Sequence, residues 1–229
     1  MENKTGKYLK YAIGEIILVV IGILIALSIN NWNNQRIERK LESSILQEII
    51  SNLDFDLEHI EEQIRWDERH GKHNQIIYEH LRDKTPITDS LKYSYAYLYG
   101  YGNFLPMTVV FENLISEGVS IIKNEDLRRE RSKLYNYYYS EATTQLKETI
   151  VYAQERHYNE ISEHLIIEKP YTSAKPIDLI ALQNDIQFQE SLKFYAFTRR
   201  YSQGIFNKTK NNILRVKEAI EDELNVRTK

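Results

Sequence analysis

The sequence contains no cysteine, which excludes disulfide staples, thiolate nucleophiles and cysteine-ligated zinc together. That absence suits oxidising and reducing compartments alike, so it does not place the protein. Glycine and proline are scarce, 8 and 4 in 229 residues, which argues against a loop-rich β architecture and for long helices. Charge of one sign is also missing. The net charge is −3, so no global basic field recruits nucleic acid, and no nucleic-acid partner is expected. Glycine-spaced motifs are absent as well: there is no G-x-x-x-x-G-K-S/T, no G-x-G-x-x-G, no G-x-S-x-G and no H-E-x-x-H. Phosphate-cradling loops and nucleophile elbows are therefore unsupported, and neither an enzyme nor a cofactor is expected.

What is present is one long apolar run, "GEIILVVIGILIALSINNW", from Gly14 to Trp32. Between Tyr11 and Ile29 the only charged residue is Glu15, and the only other strongly polar one is Ser28. At about 1.5 Å per residue, Tyr11 to Trp32 reaches roughly 30 Å, the thickness of a hydrocarbon core. Tyr8 and Tyr11 before the run and Trp32 after it are the expected interfacial anchors. A cleaved signal peptide is the alternative, since Ala26-Leu27-Ser28 loosely fits a cleavage site. Against it, Glu15 interrupts the start of the apolar region, and "NNWNNQ" leads directly into a helical pattern. A retained anchor in the lipid bilayer is the expectation. The division is a short basic tail over residues 1–10, a transmembrane helix over 11–32 and a helical domain over 33–229.

Sidedness is finely balanced. Lys4, Lys7 and Lys10 precede the span, and Arg36, Arg39 and Lys40 follow it. The N-terminal lysines lie closer to the apolar run, which favours an inside N-terminus and a domain outside the cytoplasm. At about 100° per residue, Glu15, Gly22, Ala26 and Asn33 fall on one helical face. Gly22 and Ala26 form a small-xxx-small pair that lets two membrane helices approach closely. Glu15 lies about one turn inside Tyr11, so its carboxylate can reach the headgroups as an edge residue. A second reading puts it against a partner helix. An ion pathway is the weakest, because one lone carboxylate makes a poor relay.

After the anchor, Leu46, Ile50, Leu53, Leu57, Ile60 and Ile64 alternate at spacings of 4 and 3. This seam either packs within an intramolecular bundle, the favoured reading, or pairs with a second copy as a coiled coil. "DKTPITDSL" breaks the first helix, with Thr88 or Asp89 capping the next. "KYSYAYLYGYG" follows, with tyrosine at 93, 95, 97, 99 and 101. Strict alternation is a strand signal, yet a lone strand has an unpaired edge, so a helix is expected. A short helix from Thr108 to Glu117 stops at Gly118, and Val119, Ile121 and Ile122 make a buried connection. Asn124 caps a long helix reaching about His164, "EKPYTSAKP" is a loop, and the remainder is helical with Ile213, Val216, Ile220 and Leu224 as its apolar stripe.

"KYAIGEIILVVIGILIALSINNWNNQ" and "TVVFENLISEGVSIIKNEDLRRERSKLYNYY" resemble the anchor and middle segment of an uncharacterised family of small bacterial single-pass membrane proteins, a domain of unknown function. The resemblance implies the bacterial inner membrane and brings no catalytic residues with it.

Histidine supplies the remaining chemical lead. Asp56/His59 and Asp67/His70 are both D-x-x-H, His73 and His80 lie close by, and His157, Glu160 and His164 form a second stripe. Such spacing holds metals in helical bundles, but it also arises readily on a solvated face in a chain that is 28% charged, so no metal site is expected. The expected fold is all-α, a transmembrane helix followed by a bundle of about five helices. The expected function is non-enzymatic self-association or binding of an unidentified protein partner, with any homo-oligomer formed through the anchor and the first soluble helix. The alternative is an extracytoplasmic sensor whose Tyr93 to Tyr101 strip lines a ligand pocket.

Overall fold

A computed structural model describes residues 4–100, 103–117 and 121–227. Among the described residues the chain is all-α apart from one hairpin, as the scarcity of glycine and proline implies. It divides into two compact units, Met1–Gln47 and Glu48–Lys229.

The first unit belongs to helix α1, Lys4–Arg82. Every residue from Glu15 to Ile29 is exposed. Gly118, Val119 and Tyr101 of the sequence reading lie outside the described residues, as do the side chains of Tyr8 and Tyr11.

In the second unit, α1 packs antiparallel against the C-terminal helix α7, Ile186–Arg227. As numbers on α1 fall, those on α7 rise: Asn74 donates to the Leu192 carbonyl at 2.8 Å, Asp67 meets Arg199, Glu61 meets Lys210 and Asp54 meets Lys217. Both helices present buried residues at strict 4-3 spacing. On α1 these are Ile49, Leu53, Asp56, Ile60, Asp67, His70, Asn74, Ile77 and Leu81, with only position 63 omitted. On α7 they run Phe188, Leu192, Tyr195, Arg199, Ser202, Phe206, Thr209, Ile213, Val216 and Ile220. Leu46, Leu53 and Ile60 of the expected seam are buried, but Ile50, Leu57 and Ile64 are only half-buried. The true seam runs through Ile49 and Asp56 instead, and the bundle itself occupies it.

Between these two helices the chain builds α2, Asp89–Ala96, and α3, Val109–Glu117. Helix α4, Glu125–Lys133, continues through two π-helical segments, Leu134–Tyr138 and Glu141–Gln145, into α5, Leu146–His164. Thr88 and Asn124 cap α2 and α4 through side-chain oxygens that accept from Leu91 N–H and Leu127 N–H. The alternating tyrosines are helical up to Ala96 and then turn.

The stretch expected to be a loop is part of an antiparallel hairpin, β1 Leu165–Lys169 and β2 Ser173–Pro176. A two-stranded ribbon is marginal alone. Here Leu165 and Ala174 are buried in a cluster with Tyr95, Leu98, Ile161, Phe188 and Leu192, which supplies what the ribbon lacks. A short helix α6, Leu179–Asn184, leads to α7, whose first turn Asp185 caps by accepting from Phe188 N–H at 2.9 Å.

Candidate functional site

The polar residues buried along the α1 seam form two knots. The first centres on Asp67 and Arg199, an ion pair at 2.8 Å with both side chains almost fully buried. Arg199 Nη2 also donates to the Gly100 carbonyl and to the Tyr195 hydroxyl, each at 2.6 Å. Tyr195 in turn donates to the same carbonyl at 2.7 Å. Burial raises the Asp67 pKa despite the opposing pull of the Arg199 charge, so this pair is a desolvated one.

Gly100 is held at φ +104, a conformation that L side chains rarely adopt, and an added Cβ would lie 2.8 Å from the Tyr171 hydroxyl. Its carbonyl is the acceptor that joins Arg199 to Tyr195. Gly100→Ala is therefore expected to lower unfolding free energy by about 1–3 kcal/mol, measured by urea titration of the detergent-solubilised protein. An unchanged midpoint would show that the turn relaxes freely.

Around this knot sit the histidines, each with a different role. His157 stacks on Tyr195 at 4.0 Å between centroids, and its Nε2 pairs with the Leu98 carbonyl at 3.1 Å. Burial pushes its pKa down to about 4. His70 is fully buried, stacked on Trp66 and edge-on to Tyr97 and Tyr171. Neither of its ring nitrogens makes a well-formed hydrogen bond among the described residues, although the Tyr97 backbone lies near enough to oppose part of the fall in its pKa. Burial, helped by the Arg199 charge, drives its pKa down to about 3, so the ring is neutral. His73 pairs with Ser94 Oγ, His80 with Thr85 Oγ1, and His164 with Asp185 Oδ2 and the Glu160 carbonyl. The D-x-x-H pairs do not act as units, and no group of three or more metal-ligand side chains converges among the described residues.

The second knot centres on Asp56, a fully buried carboxylate on α1. Its Oδ2 accepts from the Tyr139 hydroxyl at 2.5 Å, and its Oδ1 from the Met107 N–H at 2.8 Å. Burial raises its pKa to about 6 against those two hydrogen bonds. Tyr139 packs edge-on against Tyr135, which stacks flat on Phe111 at 4.3 Å. Arg131 lies over the Phe111 ring.

The described tyrosines of the strip face different surroundings. Tyr95 belongs to the core, Tyr93 and Tyr97 share a 2.9 Å hydrogen bond beside His73, and Tyr99 leans on Tyr158 and Tyr171. The cleft of greatest interest instead lies between α5 and α7, about 410 Å³, with His157 and Tyr195 in its lining beside Arg156, Glu190, Ile186 and Phe194.

The anchor residues belong to the first unit. Glu15, Gly22 and Ala26 are exposed on α1, and a Cβ at Gly22 would meet nothing within 4 Å. Trp32 is 58% exposed, with the Arg36 guanidinium 5.4 Å from its ring centroid. The sequence reading missed Gly100, Arg131, Tyr195 and Arg199. A signal existed for two of them, since Tyr195 and Arg199 continue the 4-3 register of Ile213, Val216 and Ile220 toward the N-terminus of α7.

Residues 15–165 match a family described as a family of unknown function, DUF6090. The chain belongs to that family. No curated protein matches it, and no solved structure does. The DUF6090 match takes in the whole Asp56 knot, from α1 through Phe111 to Tyr139, but stops short of Tyr195 and Arg199.

Proposed function

We propose that this DUF6090 member is a bacterial inner-membrane protein with a single span, Tyr11 to Trp32, anchoring a non-enzymatic helical domain outside the cytoplasm that associates with itself or a protein partner. The observation that carries the reading is the apolar stretch itself. It reaches a mean hydropathy of 2.5 over 18 residues, and none of that window is buried by the rest of the protein. An apolar surface of that length needs a non-aqueous environment. The association part rests on Glu15, Gly22 and Ala26 sharing one exposed face with open space over Gly22. The seam of α1 in the second unit is taken by α7, which leaves the anchor as the surface for a homo-oligomer. A non-enzymatic role is supported by the two buried carboxylates being engaged as structural ties, Asp67 by Arg199 and Asp56 by Tyr139.

The absence of cysteine makes the test direct. Single cysteines introduced as Ala26→Cys and, half a turn away, Leu24→Cys report which face meets a second copy under oxidation in membranes. Ala26→Cys is expected to give a covalent dimer and Leu24→Cys little, and adding Gly22→Leu should reduce the Ala26→Cys dimer several-fold. Equal yields from both faces, or monomer throughout, would remove the association claim. A C-terminal topology reporter tests sidedness, with activity expected outside the cytoplasm.

A second reading, an extracytoplasmic ligand-binding bundle, draws on the cleft of about 410 Å³ beside His157, a volume within the range of small-molecule sites. Binding of a small molecule that Phe194→Ala abolishes, with the dimer unaffected, would favour it.

A further inference from the structure

Arg131 is only 1% exposed, yet its Nε, Nη1 and Nη2 all lack a hydrogen-bond partner among the described residues. Its neighbour one turn back shows the contrast. Arg128 donates to the carbonyls of Ile122 and Lys123. Tyr135, one turn on from Arg131, is also buried with an unpartnered hydroxyl. Asp56, the buried carboxylate that this helix meets, is already engaged by Tyr139 and Met107. A buried guanidinium with no acceptor and no counter-charge is among the costliest arrangements a protein interior can hold. Tyr135 itself lies in the π-helical segment Leu134–Tyr138, an irregularity that recurs at functional positions.

We propose that Arg131 and Tyr135 form a binding site for a buried halide-sized anion, chloride in the cell. The anion would accept the guanidinium N–H groups and the Tyr135 hydroxyl, and it would neutralise the charge. Water would accept some of these bonds but bring no charge. Phe111, flat on Tyr135 and beneath Arg131, forms the apolar wall. The site lies in the second unit, and its test is independent of how the anchors associate.

The test compares thermal unfolding of the full chain in non-ionic detergent, in sodium chloride and in sodium gluconate at matched ionic strength, so that screening is equal. Chloride and bromide are expected to raise the melting temperature saturably, by about 5 °C at a concentration far above the dissociation constant, while gluconate does not. Arg131→Met should abolish the halide dependence. Tyr135→Phe, which removes one hydroxyl and keeps the ring stack, should weaken halide binding about tenfold, the value of a hydrogen bond to a charged group. If Arg131→Met fails to fold, Tyr135→Phe decides alone. Identical curves in chloride and gluconate, or unchanged halide affinity in Tyr135→Phe, would overturn the proposal and leave water as the occupant.

Discussion

Arg199→Met is expected to destabilise the folded chain by about 3–5 kcal/mol, the cost of stranding one partner of a buried ion pair. Asp67 would keep its place in the seam with no cation beside it, and burial already raises its pKa. Methionine preserves most of the arginine stem, so packing is largely retained and the loss reports the charge and its hydrogen bonds. The Gly100 carbonyl keeps one donor, the Tyr195 hydroxyl, so the turn after α2 is not stripped of partners. Combining Arg199→Met with Asp67→Leu should recover most of the loss, because a matched apolar pair carries no stranded charge. The contrast is Lys217→Met. Its ion pair with Asp54 at 2.5 Å is half-exposed on the Asp54 side, and its removal should cost less than about 1 kcal/mol. Urea unfolding of the three variants checks the whole set. If Arg199→Met and Lys217→Met cost the same, the buried pair would not be the specific tie between α1 and α7.

The same pair shows how far the sequence carried. Helices were legible because apolar residues recur at 3 and 4 along α1 and α7, and because Asn124 marks the start of the helix that runs through α4 and α5. The register of the α1 seam was not, because four of its nine buried members are polar. A reading that follows apolar residues takes Ile50, Leu57 and Ile64 and assigns Asp56, Asp67, His70 and Asn74 to solvent. Burial in fact selects the second set. Each survives inside because something distant satisfies or encloses it: Arg199 lies 132 residues from Asp67, Tyr139 lies 83 from Asp56, and the Leu192 carbonyl lies 118 from Asn74. No local pattern encodes such pairings. The D-x-x-H spacing did mark the right stretch of α1, but for a different reason. Asp67 and His70 share the buried face one turn apart, and each is fitted to a separate environment rather than to a common ligand. The hairpin was hidden for a related reason, since its strands are stabilised by the core under them more than by their own sequence.

Acidification from pH 7 to pH 5 is expected to destabilise the domain, with His70 and His157 as the main cause. Both are neutral in the folded chain because their pKa values are held down to about 3 and about 4, whereas an unfolded histidine titrates near 6.5. The unfolded state therefore binds more protons across that window, and stability is lost as pH falls below about 6.5. Each contributes about 2 kcal/mol of loss by pH 5. Asp56 acts with the opposite sign. Its folded pKa is raised to about 6, so the folded state takes up its proton first and gains stability on acidification, about 1 kcal/mol by pH 5. Among these three groups the histidines outweigh Asp56 by about 2–3 kcal/mol; the lowered pKa values of His73 and His80 act with the histidines, and the raised one of Asp67 acts with Asp56. His70→Phe isolates the effect, because the ring sits among Trp66, Tyr97 and Tyr171 with at most a weak contact to the Tyr97 backbone, and phenylalanine fills that space without a titrating group. This variant should match or exceed the native chain at pH 7 and should lose about 2 kcal/mol less between pH 7 and pH 5, read from denaturant unfolding at the two pH values. A native pH dependence retained in His70→Phe would mean that the imidazole reaches water and titrates normally. The enclosure of His70 by three aromatic rings would then open on the timescale of unfolding, and the α1 seam would be looser at its polar centre than at its apolar ends.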